Sequence, residues 1–298
     1  MKAVVYRAFG GTEVLEVAER PVPEPGPGEV RIAVEAAAVN PIDLGSRSGF
    51  TVQAGIAPAP GSSFERGLGW DVAGRISAGE GFAAGTAVVG LLPAFAVATG
   101  TQASFVVVPA DSVAPAPSGI EPARAATLPL NSLTADAALR ELDLPTGAHL
   151  MVLGGAGGVG AFAVQLAVRA GLRVTATASS RDARTVESFG ATVVARDALP
   201  SGVDGVLDTV GLGAAALAPV RDGGVLVTVA GPVEGERGIR SVQALVRPDG
   251  ARLAELATLA STGALALPSV TTYPLDEVAA AQDRLAAGGV GGRLVLVP

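Results

Sequence analysis

Residues 150–181 read LMVLGGAGGVGAFAVQLAVRAGLRVTATASSR, and this stretch decides the fold of the chain. An apolar run at 150–153 predicts a buried strand, and a glycine cluster, an apolar helix and a second strand at 174–177 follow it. Residues 155–160 form a G-x-G-x-x-G motif. Between a strand and a helix, such glycines allow a tight turn, close backbone approach to a pyrophosphate and close helix–strand packing. The predicted dinucleotide-binding residues are Gly155, Gly157, Gly158, Val159 and Gly160; the alternative is an ordinary strand–helix turn.

The residues after the second strand indicate which dinucleotide is bound. A site for NAD usually carries Asp or Glu about 20 residues beyond the glycines, where the carboxylate binds the ribose 2′-hydroxyl. Here Ser179, Ser180 and Arg181 follow the strand, and their hydroxyls and guanidinium suit a 2′-phosphate. Asp182 comes one residue later and is interpreted as a cap or first-turn acid of the next helix. We therefore predict NADPH as the cofactor; the alternative is that Arg181 is a solvated surface charge.

The composition excludes several classes of protein. The chain has 298 residues, 49% of them hydrophobic, which suffices for one large or two medium domains. There are 21 Lys and Arg against 28 Asp and Glu and no basic run, so we expect no nucleic-acid or membrane partner. Residues 1–11, MKAVVYRAFGG, lack the apolar core of a signal peptide, and no continuous apolar run of about 20 residues follows. We expect a cytoplasmic protein.

The cysteine and histidine content argues against a metal site. The chain has no Cys and one His, His149, whereas zinc sites usually combine three or four His, Cys or carboxylate ligands. Disulfides and thiolate chemistry are excluded by the same count. We therefore predict no metal site, and redox chemistry would depend on the bound dinucleotide.

The character of the sequence changes near residue 118. Short β-like runs separated by turns rich in Gly and Pro fill the first 115 residues and predict an antiparallel, barrel-like β domain. From about residue 121, strands alternate with helices, which predicts a parallel, doubly wound sheet.

Several short strings stand out along the chain: PGPGEV (25–30), AVNPID (38–43), DVAG (71–74), LTA (133–135), QLA (165–167), DTVG (208–211), YPL (273–275) and GRLVL (292–296). In their order and spacing, these strings resemble the medium-chain dehydrogenase/reductase superfamily and, within it, the zinc-independent quinone oxidoreductases related to zeta-crystallin. The resemblance covers nearly the whole chain. It implies an α/β fold with an N-terminal GroES-like β-barrel catalytic domain, residues 1–118 and 266–298. A Rossmann doubly wound parallel-sheet domain, residues 119–265, would bind NADPH.

The resemblance also implies catalytic residues. Asn40 and Asp43 would line the nicotinamide end of a cleft between the two domains, Asn40 also touching the cofactor, and Arg47 follows four residues on. The alternative is structural: Asn40 caps a helical turn, and Asp43 and Arg47 form an i,i+4 pair. Where zinc-dependent relatives place a His-Glu pair, this chain has Trp70 and Asp71.

Further cofactor contacts follow from the same resemblance. Thr134 resembles the threonine that contacts the nicotinamide carboxamide, although a helical threonine can also bond to its own backbone. Thr209 and Val210, and then Ala230 and Gly231, lie in two loops that pass beside the cofactor in the family.

The function implied is NADPH-dependent, zinc-free hydride transfer to a quinone or an α,β-unsaturated carbonyl. The alternatives are a tailoring enoyl reductase or reductive cyclase of a biosynthetic pathway, and an NADPH-binding sensor or structural protein with little turnover. The resemblance also suggests a homodimer through an edge strand at residues 225–229, since an exposed edge is a ready pairing surface.

Overall fold

The computed structural model describes residues 1–61, 64–95 and 97–298. In this part of the chain the strands are β1 (Lys2–Tyr6), β2 (Leu15–Glu19), β3 (Glu29–Val39), β4 (Arg66–Gly67), β5 (Asp71–Gly79), β6 (Ala87–Leu91), β7 (Phe105–Pro109), β8 (Val113–Pro115), β9 (His149–Leu153), β10 (Arg173–Thr177), β11 (Thr192–Val194), β12 (Val203–Asp208), β13 (Val220–Thr228), β14 (Arg240–Gln243), β15 (Val270–Pro274) and β16 (Arg293–Val297). The α-helices are α1 (Pro41–Ser48), α2 (Phe50–Gln53), α3 (Pro122–Ala125), α4 (Pro129–Leu142), α5 (Gly158–Arg169), α6 (Ala183–Ser188), α7 (Gly250–Ser261) and α8 (Val278–Ala286).

Among the residues described, no helix has both the length and the apolar character that a membrane crossing requires.

The chain forms two compact units, Met1–Leu130 with Pro248–Pro298, and Asn131–Arg247. Both boundaries fall inside the segment 119–265 that the sequence assigns to the cofactor domain. Helix α7 belongs to the first unit because it packs against β8. The approach is close: a Cβ on Gly250 would lie 2.5 Å from the carbonyl oxygen of Val113.

The first unit is mainly β-structure, as predicted. Strands β2, β1 and β4 form a small antiparallel sheet, and a larger sheet has the order β15-β16-β3-β5-β6-β8, with β7 also paired to β3. Strand β3 alternates buried and half-buried residues, so Val30 and Ile32 enter a core under the sheet. The carboxyl end of β3 pairs with β16, where Val39 lies opposite Leu294. This pairing places residues near 40 beside residues near 293.

The second unit is a six-stranded parallel sheet with the order β11-β10-β9-β12-β13-β14. The strand order matches the 3-2-1-4-5-6 arrangement of a doubly wound dinucleotide-binding fold, with β9 as its first strand. Strand β9 is buried along residues 150–153, and α5 and β10 follow it where the sequence predicts a helix and a second strand. Ligands bind such sheets at the carboxyl ends of the strands.

The prediction of an edge strand at residues 225–229 is wrong. Strand β13 pairs with β12 on one side and with β14 on the other, where Val225 lies opposite Arg240. The outer strand is β14, a four-residue segment of sequence RSVQ, which has too little apolar alternation to be recognised from sequence. A 3-10 helix, Gly213–Leu217, lies between β12 and β13.

Candidate active site

The glycine turn follows β9 at the carboxyl edge of the parallel sheet. Gly154 has a φ of +89°, which bends the chain out of the strand. The turn is tied to β10, because the N–H groups of Gly154 and Gly155 donate to the Thr177 hydroxyl and carbonyl oxygens, both at 2.8 Å. The glycine turn therefore has a fixed position against the second strand.

Close packing explains why glycine occupies the first and last motif positions. A Cβ on Gly160 would lie 2.1 Å from the Gly154 carbonyl oxygen, and a Cβ on Gly155 would lie 2.7 Å from the Ala176 Cβ. Both distances are too short for a side chain without movement of the backbone. These glycines bring α5 against the strand–turn junction.

The start of α5 suits an anion. Its N-cap residue is Gly157, and no side chain caps the helix. The first N–H groups of a helix have no partner within the helix and lie at its positive end. A glycine cradle of this kind, followed by an uncapped helix, fits the pyrophosphate of a dinucleotide. That Gly155, Gly157, Gly158, Val159 and Gly160 bind it stays a prediction.

One further loop lies beside the glycine turn, and a second loop lies beside the first. A Cβ on Gly154 would come within 2.5 Å of Val210 Cγ1 and 2.8 Å of Thr209 Oγ1. A Cβ on Gly211 would lie 3.3 Å from the Ala230 Cβ, and Gly231, with a φ of +122°, follows Ala230 in the loop between β13 and β14. The structure thus brings together the three loop segments that the sequence assigns to the cofactor.

Asp208 holds the first of these loops, a role that was not predicted from the sequence. Its buried carboxylate accepts N–H groups from Val210 and Gly211 at 2.9 Å and from Leu212 at 2.7 Å. Three bonds from successive residues wrap the backbone around one carboxylate. An Asp at a strand end directly before a glycine-containing turn is the signal that could have indicated it.

Ser179, Ser180 and Arg181 follow β10 and are exposed. The Ser179 hydroxyl donates to Asp182 Oδ2 at 2.7 Å, and Arg181 Nε donates to Asp182 Oδ1 at 3.2 Å. Asp182 stands at the N-cap of α6, as interpreted from the sequence, but its side chain makes no capping bond. The hydrogen bond from Ser179, and then the Arg181 guanidinium, lower the pKa of Asp182. The 2′-phosphate role of Ser179, Ser180 and Arg181 stays a prediction.

Thr134 lies on α4 and is buried. Its contact with a nicotinamide carboxamide likewise stays a prediction.

In the first unit, Asn40 is the centre of a buried polar cluster. It is the N-cap of α1, and its Nδ2 donates to Asp71 Oδ2 at 2.7 Å. Arg293, on β16, donates to Asn40 Oδ1. The second oxygen of Asp71 accepts the Leu130 N–H at 2.6 Å. The Asn40 amide is therefore oriented from both sides.

Asp43 extends the cluster from the first turn of α1. Its Oδ2 accepts the Asn40 N–H at 2.8 Å and the Gln102 Nε2 at 3.2 Å. Burial raises the pKa of Asp43 to about 7, and the nearby Asp71 carboxylate adds to the rise. Burial also raises the pKa of Asp71, to about 6, against the lowering effect of its hydrogen bonds. Two buried carboxyl groups thus share one neighbouring guanidinium, Arg293.

Arg47 is engaged elsewhere. Its Nε donates to Gln282 Oε1 at 2.7 Å, and one terminal nitrogen donates to the Gly10 carbonyl at 2.6 Å. These bonds tie α1 to α8 rather than pairing Arg47 with Asp43, so the i,i+4 pair of the structural alternative does not form between these two described residues. The catalytic roles of Asn40, Asp43 and Arg47 stay predictions.

No role was predicted from the sequence for Asp71 or Arg293, although both lie in strings that carry the family resemblance. The sequence signal that could have indicated a role for Arg293 is a single charge at the start of an apolar strand, RLVLV at 293–297. Its partners could not be named because Arg293 and Asn40 are 253 residues apart in the chain.

Within the described residues, no three side chains of the types His, Cys, Asp and Glu come together in a way that could hold a metal ion. Trp70 is buried and packs edge-on against Phe95, with ring centroids 4.6 Å apart.

Two family profiles match the chain. The family described as "Alcohol dehydrogenase GroES-like domain" matches residues 26–118, and the family described as "Zinc-binding dehydrogenase" matches residues 182–296. The first match lies in the β-rich unit.

Whole-chain relatives are also found. The chain is 32% identical to "NADPH-dependent alkenal/one oxidoreductase, chloroplastic" of Arabidopsis thaliana over 317 aligned residues, covering 100% of this chain and 80% of the relative. It is 32% identical to the "2-methylene-furan-3-one reductase" of Solanum lycopersicum, covering 100% of this chain and 79% of the relative. The structure of the quinone oxidoreductase from Coxiella burnetii superposes with a TM-score of 0.86 at 28% identity, covering 100% of this chain and 99% of that one. The chain therefore belongs to the medium-chain dehydrogenase/reductase superfamily and, within it, to the quinone oxidoreductase family related to zeta-crystallin.

Proposed function

We propose that this protein is an NADPH-dependent oxidoreductase that reduces a quinone or an α,β-unsaturated carbonyl compound. The observation that carries the proposal is the edge of the parallel sheet, where the glycine turn joins β9 to the uncapped start of α5 and where Ser179 and Arg181 follow β10. The names of the relatives supply the reaction class, since they include an alkenal/one oxidoreductase and quinone oxidoreductases.

When bound, NADPH supplies a hydride, which with one proton reduces the acceptor by two electrons. The chain's own part is to bind and orient. The glycine turn and the uncapped start of α5 hold the pyrophosphate, and Arg181 with the two serines holds the 2′-phosphate. The loop wrapped around Asp208 presents Thr209 and Val210 in a fixed conformation.

Within the same proposal, Asn40 is the candidate donor to the oxygen that gains negative charge in the acceptor. Its amide is oriented by Asp71 and Arg293, so a substrate oxygen would meet a preorganised group. Asp43 and Arg47 support the position of α1, through bonds to Asn40, Gln282 and Gly10.

We include independence from zinc in the proposal. The absence of Cys, the single His and the Trp70-Asp71 pair support it. Dialysis against a chelator should leave the rate of NADPH oxidation unchanged. A loss of activity that only added zinc restores would contradict independence from zinc.

The cofactor assignment is tested by Arg181→Ala, with Arg184→Ala as the control because Arg184 is an exposed arginine on α6. We expect the R181A substitution to raise the KM for NADPH by about tenfold or more and to leave that for NADH nearly unchanged, since the guanidinium pairs with the 2′-phosphate. R184A should change neither constant. Equal changes for NADPH and NADH in R181A would refute the 2′-phosphate role.

The reaction class is tested by following NADPH oxidation by stopped flow with a quinone, an enal and an enone. Oxidation by at least one of these acceptors is expected. Tight NADPH binding with no oxidation by any acceptor would overturn the enzymatic proposal and favour a binding role.

A homodimer formed through β14 is part of the proposal. Strand β14 is the outer strand of the six-stranded sheet, and Leu245 follows it with a side chain that is 66% exposed. An uncovered strand edge next to an apolar side chain favours pairing with a second copy. Light scattering should give the mass of a dimer, and Leu245→Glu should weaken it; a monomeric wild-type protein would refute the pairing.

We retain the cytoplasm as the proposed location, although one whole-chain relative is named as chloroplastic. Fractionation of the source cells, with the protein recovered in another compartment, would correct it.

A further inference from the structure

Asp182 binds the same two side chains that are proposed to bind the 2′-phosphate. The Ser179 hydroxyl donates to its Oδ2 at 2.7 Å. Arg181 donates through Nε to Oδ1 at 3.2 Å and through a terminal nitrogen to Oδ2 at 3.4 Å. A carboxylate thus accepts hydrogen bonds from the two side chains that are proposed to bind the phosphate.

In the described part of the chain, the hydrogen bonds of the Asp182 carboxylate go to Ser179 and Arg181. The backbone carbonyl of Asp182 accepts the Thr185 and Val186 N–H groups, but its side chain makes no capping bond to α6. The hydrogen bond from Ser179 and the charge of Arg181 lower its pKa, so the group is ionised at neutral pH.

The ion pair between Arg181 and Asp182 is exposed enough for Arg181 to bind a second anion. The Arg181 side chain is 59% exposed and that of Asp182 is 28% exposed, and solvent-exposed pairs of this kind are weak. The hydroxyl of Ser179 has one proton, so it cannot donate to Asp182 and to a phosphate at the same time. Binding of a 2′-phosphate therefore requires the Ser179 hydroxyl to leave Asp182. The Arg181 guanidinium, with five N–H groups, must then divide its donors between the phosphate and Asp182, whose negative charge stays nearby.

We propose that Asp182 is a specificity-determining residue that competes with the 2′-phosphate of NADPH for Ser179 and Arg181. It lowers the affinity for NADPH and leaves the affinity for NADH, which has no 2′-phosphate, almost unaffected. The inference rests on the proposed function, because it takes the residues after β10 to be the 2′-phosphate site.

The test is Asp182→Asn, which keeps the shape of the side chain and removes its charge. NADPH and NADH binding are measured by nucleotide fluorescence at low and high salt. Like charges separated by a few ångströms repel appreciably even in water, so we expect the Kd for NADPH to fall about three- to tenfold at low salt. The Kd for NADH should stay within about twofold. The gain should shrink at high salt, because ions screen exposed charges.

The matched control is Glu187→Gln, which removes an exposed carboxylate from the same helix. It should change neither dissociation constant. An unchanged or higher Kd for NADPH in D182N would overturn the inference, as would equal shifts for NADPH and NADH.

The two proposals fail in different ways. Wild-type protein that binds neither nucleotide would overturn the proposed function and this inference with it. Wild-type protein that prefers NADPH, combined with an unchanged preference in D182N, would overturn the inference alone.

Discussion

The side-chain amide of Asn40 donates to the Asp71 carboxylate across 2.7 Å, and this bond joins the N-cap of α1 to the first residue of β5. Arg293 donates to the same amide from β16. Three elements that are distant in sequence therefore meet at one buried side chain. Because the groups are buried, their hydrogen bonds are costly to leave unmade.

Replacing Asp71 by Ala should destabilise the first unit strongly. The substitution removes the Asp71 acceptor of the Asn40 amide and of the Leu130 N–H, and it leaves Arg293 with one neighbouring carboxyl group, that of Asp43, instead of two. Breaking a buried charged contact from one side costs on the order of 3 kcal/mol. Urea unfolding followed by circular dichroism measures the change. Asp276→Ala, which removes an exposed carboxylate of the same unit, should cost less than about 0.5 kcal/mol; equal effects of the two substitutions would contradict the prediction.

Stability should fall as pH rises towards neutrality. Burial raises the pKa of Asp43 to about 7 from its ordinary value of 3.8, and that of Asp71 to about 6. Between the ordinary pKa of 3.8 and these raised pKa values, the folded state binds more protons than the unfolded state. The free energy of unfolding therefore decreases with increasing pH in this range. The stabilising contribution is complete below about pH 4 and is lost as pH rises through the folded-state pKa values.

Asp43→Asn should flatten this pH dependence, because the amide does not titrate and can still accept the Asn40 N–H. Trp70, the one tryptophan of the sequence, lies in the first unit and can report its unfolding by fluorescence. Urea titrations at pH 5, 6, 7 and 8 give the slope. Asp276→Asn should keep the wild-type slope; a slope equal to wild type in D43N would show that Asp43 is not the titrating group.

Asp208→Ala should weaken cofactor binding more than it weakens folding. The substitution removes the acceptor of three N–H groups, those of Val210, Gly211 and Leu212, and frees the loop beside the glycine turn. Each lost bond to a charged group is worth roughly 1.5 kcal/mol or more, so the Kd for NADPH should rise at least tenfold. Asp197→Ala, at an exposed carboxylate of the same unit, should leave the Kd unchanged. An unaltered Kd in D208A would remove the loop from the cofactor site.

Local patterns predicted the second unit well. The turn from β9 to α5 and the strand β10 lie where the apolar run, the glycine cluster and the next apolar run place them, because all three signals are contiguous in the chain. Strand β14 was missed because its four residues show little alternation and its parallel partner lies outside any local pattern.

Contacts between residues that are distant in the chain could not be predicted either, because no local sequence pattern identifies the partner. The partner of Arg47 on α8 is 235 residues away, and nothing in the sequence near Arg47 favours Gln282 over Asp43. The contacts of Asp182 are local in sequence, yet its position before a helix favoured a capping role. Its hydrogen bonds with Ser179 and Arg181 depend instead on side-chain directions, which sequence spacing does not determine.

Adding one methyl group in the glycine turn should separate the packing role of Gly160 from that of Gly157. A Cβ on Gly160 would lie 2.1 Å from the Gly154 carbonyl oxygen, whereas a Cβ on Gly157 would approach the same atom to 3.2 Å. Gly160→Ala must therefore displace α5 or the turn. Overpacking of this kind lowers the free energy of unfolding by about 1 to 3 kcal/mol. Gly157→Ala requires a smaller shift and should lower the Tm less. Thermal unfolding in the absence of nucleotide measures both, and a larger loss of Tm in G157A than in G160A would show that contact with Gly154 does not set the requirement for glycine at position 160.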